Sequence, residues 1–309
     1  MKVVTLGVHV LDVLVRPVEA IPEGQGATLV EDIRMTAAGT AGGTALTLAK
    51  LGAQVHSAGA IGADPTGDML VALLRRAGID TRHLVRRADT PTSASVLPIR
   101  PDGGRPSLHL LGANITYGPD DVPWDTIAEA SHLHLGGPEL IGVDTAARIL
   151  KHAKEHGVVT SVDLLAPGAL GSFEQLAAAL PYVDHLLPNE DQVLGFSGEP
   201  DLVAGARKLL DAGAGLVAVT CGAEGALLVT REGTDEVPAF SIDVVDTTGC
   251  GDAFSAGFVR GMGLGRTPYE SAVLGSAAAA LVAQGLGSDH GDFDLATADS
   301  FATRGKPRS

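Results

Sequence analysis

The feature that most constrains this chain is an alternation. Short runs of β-branched and apolar residues (KVVTLGV, VHSAGAIG, HLHLGG, VVTSVDLL, HLLPNE, LVAVTCG, GALLVT) keep giving way to longer stretches of helical periodicity at 41–51, 67–77, 145–156 and 202–212. Strands that are apolar on both sides must be covered on both faces, and crossover helices supply the cover. The expected fold is therefore α/β, with a mostly parallel central sheet and ligands beyond the carboxyl ends of its strands. At 309 residues and 45% apolar composition, the chain can bury a large core in one such domain.

Two segments break the rhythm, 13–36 and 91–112. They hold short strand-like runs (TLVEDIRM, ASVLPIR, PSLHLL) separated by the turn sequences PEGQG and RPDGGRP, with no helical pattern between them. They predict a small antiparallel β layer made of two excursions from a core of 1–12, 37–90 and 113–309. Beside an α/β site such a layer serves as a lid that excludes water; a pair of structural hairpins is the plainer alternative.

The net charge of −15 argues against nucleic acid or an anionic membrane as a partner. Cys221 and Cys250 are far apart and in no metal-ligand spacing, which points to a reducing cytosol. The start, MKVVTLGVHVLD, lacks the apolar region of a secretion signal, and AAAALVA is too short to span a bilayer, so a cytoplasmic protein is expected. The tail ATRGKPRS is expected to fray.

The chemistry concentrates in VVDTTGCGDAFSAGF, at 244–258. A helix is predicted from near Gly251 to about Gly261. Its start leaves N–H groups unpaired and carries about half a positive charge. Gly249 and Gly251 let an anion approach without meeting a Cβ, with the modest Cys250 between them. Asp252, in the first turn, is placed to accept a proton from a hydroxyl beside that cradle. A phosphate cradle next to a base describes phosphoryl transfer to an alcohol. A lone G-x-G-D would more often be a capped turn; Asp246-Thr247-Thr248 makes this pattern more specific.

DTTGCGDAFSAGF resembles the C-terminal signature of the ribokinase-like (PfkB) carbohydrate kinases. AAGTAGGTALTLAKLG resembles the N-terminal glycine-rich signature, GAIGADPTGDMLVALLRRAGID the strand, glycine-acid turn and helix, VTCGAEGALL the nucleotide-site strand pair, and LLPNEDQ the Asn-Glu region. The motifs fall in the family's order over nearly the whole chain. The resemblance implies a three-layer α/β/α ribokinase-like fold with a β lid, and an ATP- and Mg²⁺-dependent kinase.

By the same resemblance, Asp252 is the base and the amides of Gly249, Cys250 and Gly251 hold the transferring group. Asp12, Gly39, Gly42, Gly43 and Asn114 border the acceptor. Asn189, Thr220, Gly222, Gly225, Ser276 and Gly287 border the nucleotide, with the turn 285–288 toward adenine. Glu190 handles Mg²⁺ through water, and Asp246 and Thr248 match positions that bind K⁺ or another monovalent cation in some members. Lid strands in this family often form a homodimer. Two departures stand out: Gly43 replaces an asparagine that contacts a sugar hydroxyl, and Gln192 replaces an acid.

Weaker signals take plainer readings. His132 and His134 share a strand face but read as buried strand histidines; His152 and His156 read as surface residues. SDHGDFDLATAD reads as a solvated surface with a capped helix. LHLLGAN could bring His109 or Asn114 near the acceptor. The acceptor stays open between a small sugar (ribokinase- or fructokinase-like) and a ribonucleoside, and a catalytically weak sugar- or nucleoside-binding protein is a third reading. No G-x-G-x-x-G follows the first strand and no G-x-x-x-x-G-K-[ST] occurs, which excludes a nicotinamide dehydrogenase and a P-loop enzyme.

Overall fold

Each apolar run becomes a strand, and the segments between them become helices wherever an apolar stripe recurs every three or four residues. The structure, a computed structural model, describes residues 1–101, 103–168 and 171–308. Its strands are β1 (Lys2–Gly7), β2 (Val10–Arg16), β3 (Asp32–Ala38), β4 (Gln54–Gly62), β5 (Asp80–Arg87), β6 (Ala94–Pro98) and β7 (Leu108–Leu110). They continue as β8 (His132–Gly136), β9 (Val159–Asp163), β10 (His185–Leu186), β11 (Leu216–Thr220), β12 (Ala226–Val229) and β13 (Thr234–Val237).

The central sheet has nine strands in the order β13-β12-β11-β10-β9-β8-β1-β4-β5. From β11 to β5 the pairs are parallel; β12 and β13 are antiparallel to their neighbours. Alternation along each strand builds two cores. Val4, Leu6, Leu133, Leu135 and Val217 face the helices Val143–Glu155 and Leu202–Asp211. Val3, Val55 and Ala218 face the helices Gly42–Lys50, Pro65–Arg76 and Cys250–Gly263. The result is the expected three-layer α/β/α arrangement. Strand order reverses direction at β1, between β4 and β8, and such a switch point opens a crevice at the carboxyl ends.

The remaining strands form a second sheet in the order β3-β2-β6-β7. It is not wholly antiparallel as expected: β2 and β6 run parallel, because the chain passes through the main domain between them. The strands also overrun the expected excursions, β2 starting at Val10 and β3 ending at Ala38, while 27–31 lies outside β3. One face buries Leu14, Leu97 and Ile99 against Leu286. The other leaves Ile33, Met35, Val96, Leu108 and Leu110 exposed.

Two surface readings change. The tail does not fray as far as it is described: Ser241 N–H donates to Lys306 O at 2.8 Å and Arg308 N–H to Ala239 O at 2.7 Å, while Ser309 lies outside the described residues. The acidic run near the C-terminus does cap a helix, through Asp294, but its start is drawn inward onto Lys50. Among the described residues no helix is long and apolar enough to cross a membrane.

Candidate active site

The helix Cys250–Gly263 begins one residue earlier than predicted. Gly249 caps it at φ +77, with no side-chain cap, and a Cβ there would lie 2.5 Å from Ser288 Oγ. Only glycine turns the chain this way without a clash. Cys250 N–H reaches Thr247 O at 3.3 Å, while the N–H groups of Gly251 and Asp252 have no acceptor among the described residues. Gly249 N–H has no acceptor there either, so two of the three expected amides, Gly249 and Gly251, are free, and the Asp252 amide adds a further donor. Space is open where a Gly251 side chain would point.

Asp252 sits where two cavities meet. One, of about 480 Å³, is bordered by Asp12, Gly39, Ser95, Arg105, His109 and Asp252 among others. The other, of about 470 Å³, is bordered by Asn189, Thr220, Gly222, Gly225, Gly251 and Ser276. Cavities of about 610 and 630 Å³ lie elsewhere, one at the amino ends of β8–β10 and one along the helix Leu295–Arg304. Neither borders the first-turn amides, so size is a poorer guide here than chemistry.

Electrostatics mark the junction. Burial pushes the Asp252 carboxyl up to about 7, helped by the charge of Asp12 and opposed by Arg105. Burial likewise lifts Asp12 to about 6, against its hydrogen bond with Ser95 and the charge of Arg105. Two carboxyls lifted by burial on one cavity, Asp252 further by the charge of Asp12 and Asp12 by that of Asp246, suit proton transfer near neutral pH. Behind Asp252, Asp163 at the end of β9 accepts the Ser255 hydroxyl at 3.2 Å and is pushed well above the carboxylate range, first by burial and then by the Asp252 charge. Burial raises the Cys250 thiol to about 12 and the Cys221 thiol to about 11, so neither serves as a nucleophile.

Of the expected acceptor residues, Asp12 and Gly39 border the first cavity. Gly42 and Gly43 lie behind its wall, Gly42 against the His9 ring and Gly43 against Asp252 itself. Asn114 is spent elsewhere: it accepts His9 N–H at 3.1 Å and donates to His9 O at 2.9 Å, clamping the loop after β1. His109 does face the cavity, with Nδ1 2.9 Å from the Ser95 hydroxyl.

Of the expected nucleotide residues, all but Gly287 border the second cavity. Gly287 instead donates its N–H to Asp246 Oδ2 at 3.0 Å, and its neighbour Ser288 faces the acceptor cavity. Asn189 caps the helix Glu190–Ser197 in a reciprocal pair with Gln192. Gln192 also donates Nε2–H to Leu164 O at 2.8 Å and Leu165 O at 2.6 Å. His132 and His134 are buried as expected, but both bond the Ser161 hydroxyl rather than main chain alone. His152 is packed against Trp124 rather than free on the surface.

Sequence reasoning missed Arg105. From the turn between β6 and β7 its guanidinium reaches Thr247 Oγ1 at 3.1 Å and Thr248 Oγ1 at 3.3 Å, and it borders both cavities. Nothing in GGRP announces this. Thr40 was also missed, and Ser288, expected in the turn toward adenine, borders the first cavity instead; the buried hydroxyls of both have no partner among the described residues.

The chain matches the pfkB family carbohydrate kinase description over residues 2–293. It is 32% identical over 248 residues to an ATP-dependent ribose-1-phosphate kinase of Halopiger xanaduensis, covering 80% of each chain. It is 30% identical over 277 residues to an adenosine kinase of Saccharomyces cerevisiae, covering 84% of this chain and 81% of that one. In fold it superposes on the ribokinase of Arabidopsis thaliana complexed with ribose and ATP, with a TM-score of 0.83 at 24% identity, over 97% of this chain and 98% of the other.

Proposed function

The chain belongs to the pfkB family of carbohydrate kinases, and we propose that it transfers the γ-phosphoryl group of ATP to a hydroxyl of a ribose-type sugar. The observation that carries this reading is the placement of Asp252, the free first-turn amides and Arg105 where the two cavities join. Asp252 takes the proton of the acceptor hydroxyl, which Asp12 orients through a hydrogen bond. The amides of Gly251 and Asp252, with Arg105, stabilise the charge of the group in transit. ATP, when bound, supplies that group. The four-stranded sheet, taken as a lid over 13–36 and 91–112, brings Ser95, Arg105 and His109 to the acceptor and keeps water out.

The nucleotide cavity suits ATP: glycines at 222, 225 and 251 keep its wall free of side chains, and Asn189 and Thr220 stand beside them. It also suits Mg²⁺ held mainly by phosphates and water, with Glu190 on the cavity wall, since no closed set of three acidic, His or Cys ligands occurs among the described residues. The two free thiols agree with a cytosolic location.

A ribonucleoside is the second reading. It is favoured by the apolar residues that line the same cavity as Asp12 (Val8, Val10, Leu97, Leu140 and Leu165), which would pack against a base. A coupled assay for ADP with ribose, fructose, ribose 1-phosphate, adenosine and cytidine decides between them. Turnover fastest with a free pentose supports the first reading, and turnover confined to nucleosides replaces it. Binding without turnover of any acceptor would favour the non-catalytic reading.

We further read the exposed face of the four-stranded sheet as the place where two copies of the chain pair. Met35, Val13, Val96 and Leu108 are cross-strand partners on that face, an apolar stripe suited to a second sheet.

A further inference from the structure

Lys50 ends the helix Gly42–Lys50, and its ammonium donates to three successive carbonyl oxygens: Asp289 at 2.7 Å, His290 at 2.7 Å and Gly291 at 2.6 Å. An ammonium has three protons, so its donors are all used. The Phe293 ring centroid lies 4.7 Å away on another side. Main-chain oxygens converging on one charge make a cation cage, of the kind that replaces the hydration shell of a potassium ion. Here the protein's own side chain fills it.

The caged segment continues directly into the reaction centre. Gly287 N–H donates to Asp246 Oδ2 at 3.0 Å, and Ser288 packs against Gly249, the cap of the catalytic helix. At the other end of the Lys50 helix, Gly43 packs against Asp252. Charged neighbours frame the cage without entering it: Arg34 pairs with Asp289 at 3.1 Å, Asp292 faces Lys50, and the His290 ring folds back over Gly285.

The side chains of Asp246 and Thr248, the expected cation ligands, are engaged mainly by protein donors in this arrangement. Asp246 Oδ1 accepts Thr248 N–H at 3.0 Å and the Thr248 hydroxyl at 2.8 Å, and Oδ2 accepts Gly287 N–H. The Thr248 hydroxyl also accepts from Arg105. We propose that Lys50 supplies to the 285–291 segment the positive charge that a bound monovalent cation would otherwise supply, and so positions the Gly249 turn without an added ion. This rests on the Gly249–Asp252 turn being the reaction centre.

The test compares the full chain with Lys50→Met. Phosphoryl transfer and the thermal midpoint are followed while tetramethylammonium chloride is exchanged for KCl or NH₄Cl at a constant level of about 0.1 M. Wild type should respond by no more than about twofold. The variant should lose roughly 10²-fold in kcat through misplacement of the turn. Both K⁺ and NH₄⁺ should then restore at least about tenfold of that rate and raise the variant's midpoint, as ions that bind only the folded cage must. Activation of wild type by K⁺ of about tenfold or more overturns the proposal, as does a folded variant whose rate and midpoint ignore both ions. If the variant does not fold, the wild-type arm decides alone. If neither protein turns over any acceptor, the kinase reading fails while the midpoint still decides the cage.

Discussion

Gly43 and Asp252 stand in direct contact: a Cβ added at Gly43 would overlap the Asp252 Oδ2 atom and lie 2.7 Å from its Cγ. The absence of a side chain on the helix Gly42–Lys50 makes room for the carboxyl on the helix Cys250–Gly263. In the sequence Gly43 reads as a lost polar contact to the acceptor. Packing adds a second meaning, because the volume an asparagine would need is taken by the Asp252 carboxyl.

Gly43→Asn is therefore expected to displace Asp252 before it alters acceptor preference. kcat should fall by roughly 10²-fold, the cost of shifting a catalytic group by about an ångström. Nucleotide affinity, measured by calorimetry, should stay within a few-fold of wild type. An active variant with only a changed acceptor profile would show that the contact yields easily.

Asp252→Asn removes the proton acceptor while keeping the shape. A positioned base contributes on the order of 10²–10⁴ to rate, and a loss in that range is expected, with nucleotide binding retained. Near-normal kcat would remove Asp252 from the base role.

The pH dependence carries a sign. Asp252 must be ionised to act, and its carboxyl is raised to about 7, so kcat/KM should fall as pH drops through that value. Asp12→Asn removes a charge that raises Asp252 and should move the acid limb to lower pH. Arg105→Met removes a charge that lowers it and should move the limb to higher pH. Limbs that shift in the same direction would contradict this coupling.

Gln192→Glu restores the acid of the family pattern, yet it should not improve the enzyme. The new carboxylate would face the carbonyls of Leu164 and Leu165, which now accept the two amide protons. Loss of these bonds from a buried position should cost about 2–3 kcal/mol, read from the denaturant midpoint. An unchanged midpoint would mean the loop re-pairs elsewhere.

For the exposed sheet face, Leu108→Asp with Ile33→Asp should shift sedimentation from dimer to monomer, since both residues are exposed. A wild-type chain that sediments as a monomer at micromolar concentration would end the pairing proposal.

Much of this protein is legible without coordinates. The strand runs and the helix at 250 were read nearly where they form, because apolar period and the backbone freedom of glycine act within a few residues. The small sheet was legible as strands but not in its pairing. The parallel partnership of β2 with β6 depends on where an intervening stretch of the main domain returns the chain. Arg105 was invisible because a turn arginine has the same local signature whether it faces solvent or borders a cavity.

By itself, then, the sequence determined the layered α/β architecture, the glycine-flanked helix start near 250 and the family. All three are written in local patterns that survive without knowing what packs against them. Only the tertiary structure decided that Gly43 makes room for Asp252, that Arg105 borders two cavities, and that Lys50 is caged by carbonyls 239 to 241 positions away. Such contacts are set by how helices and loops dock on the sheet, and no spacing along the chain encodes them.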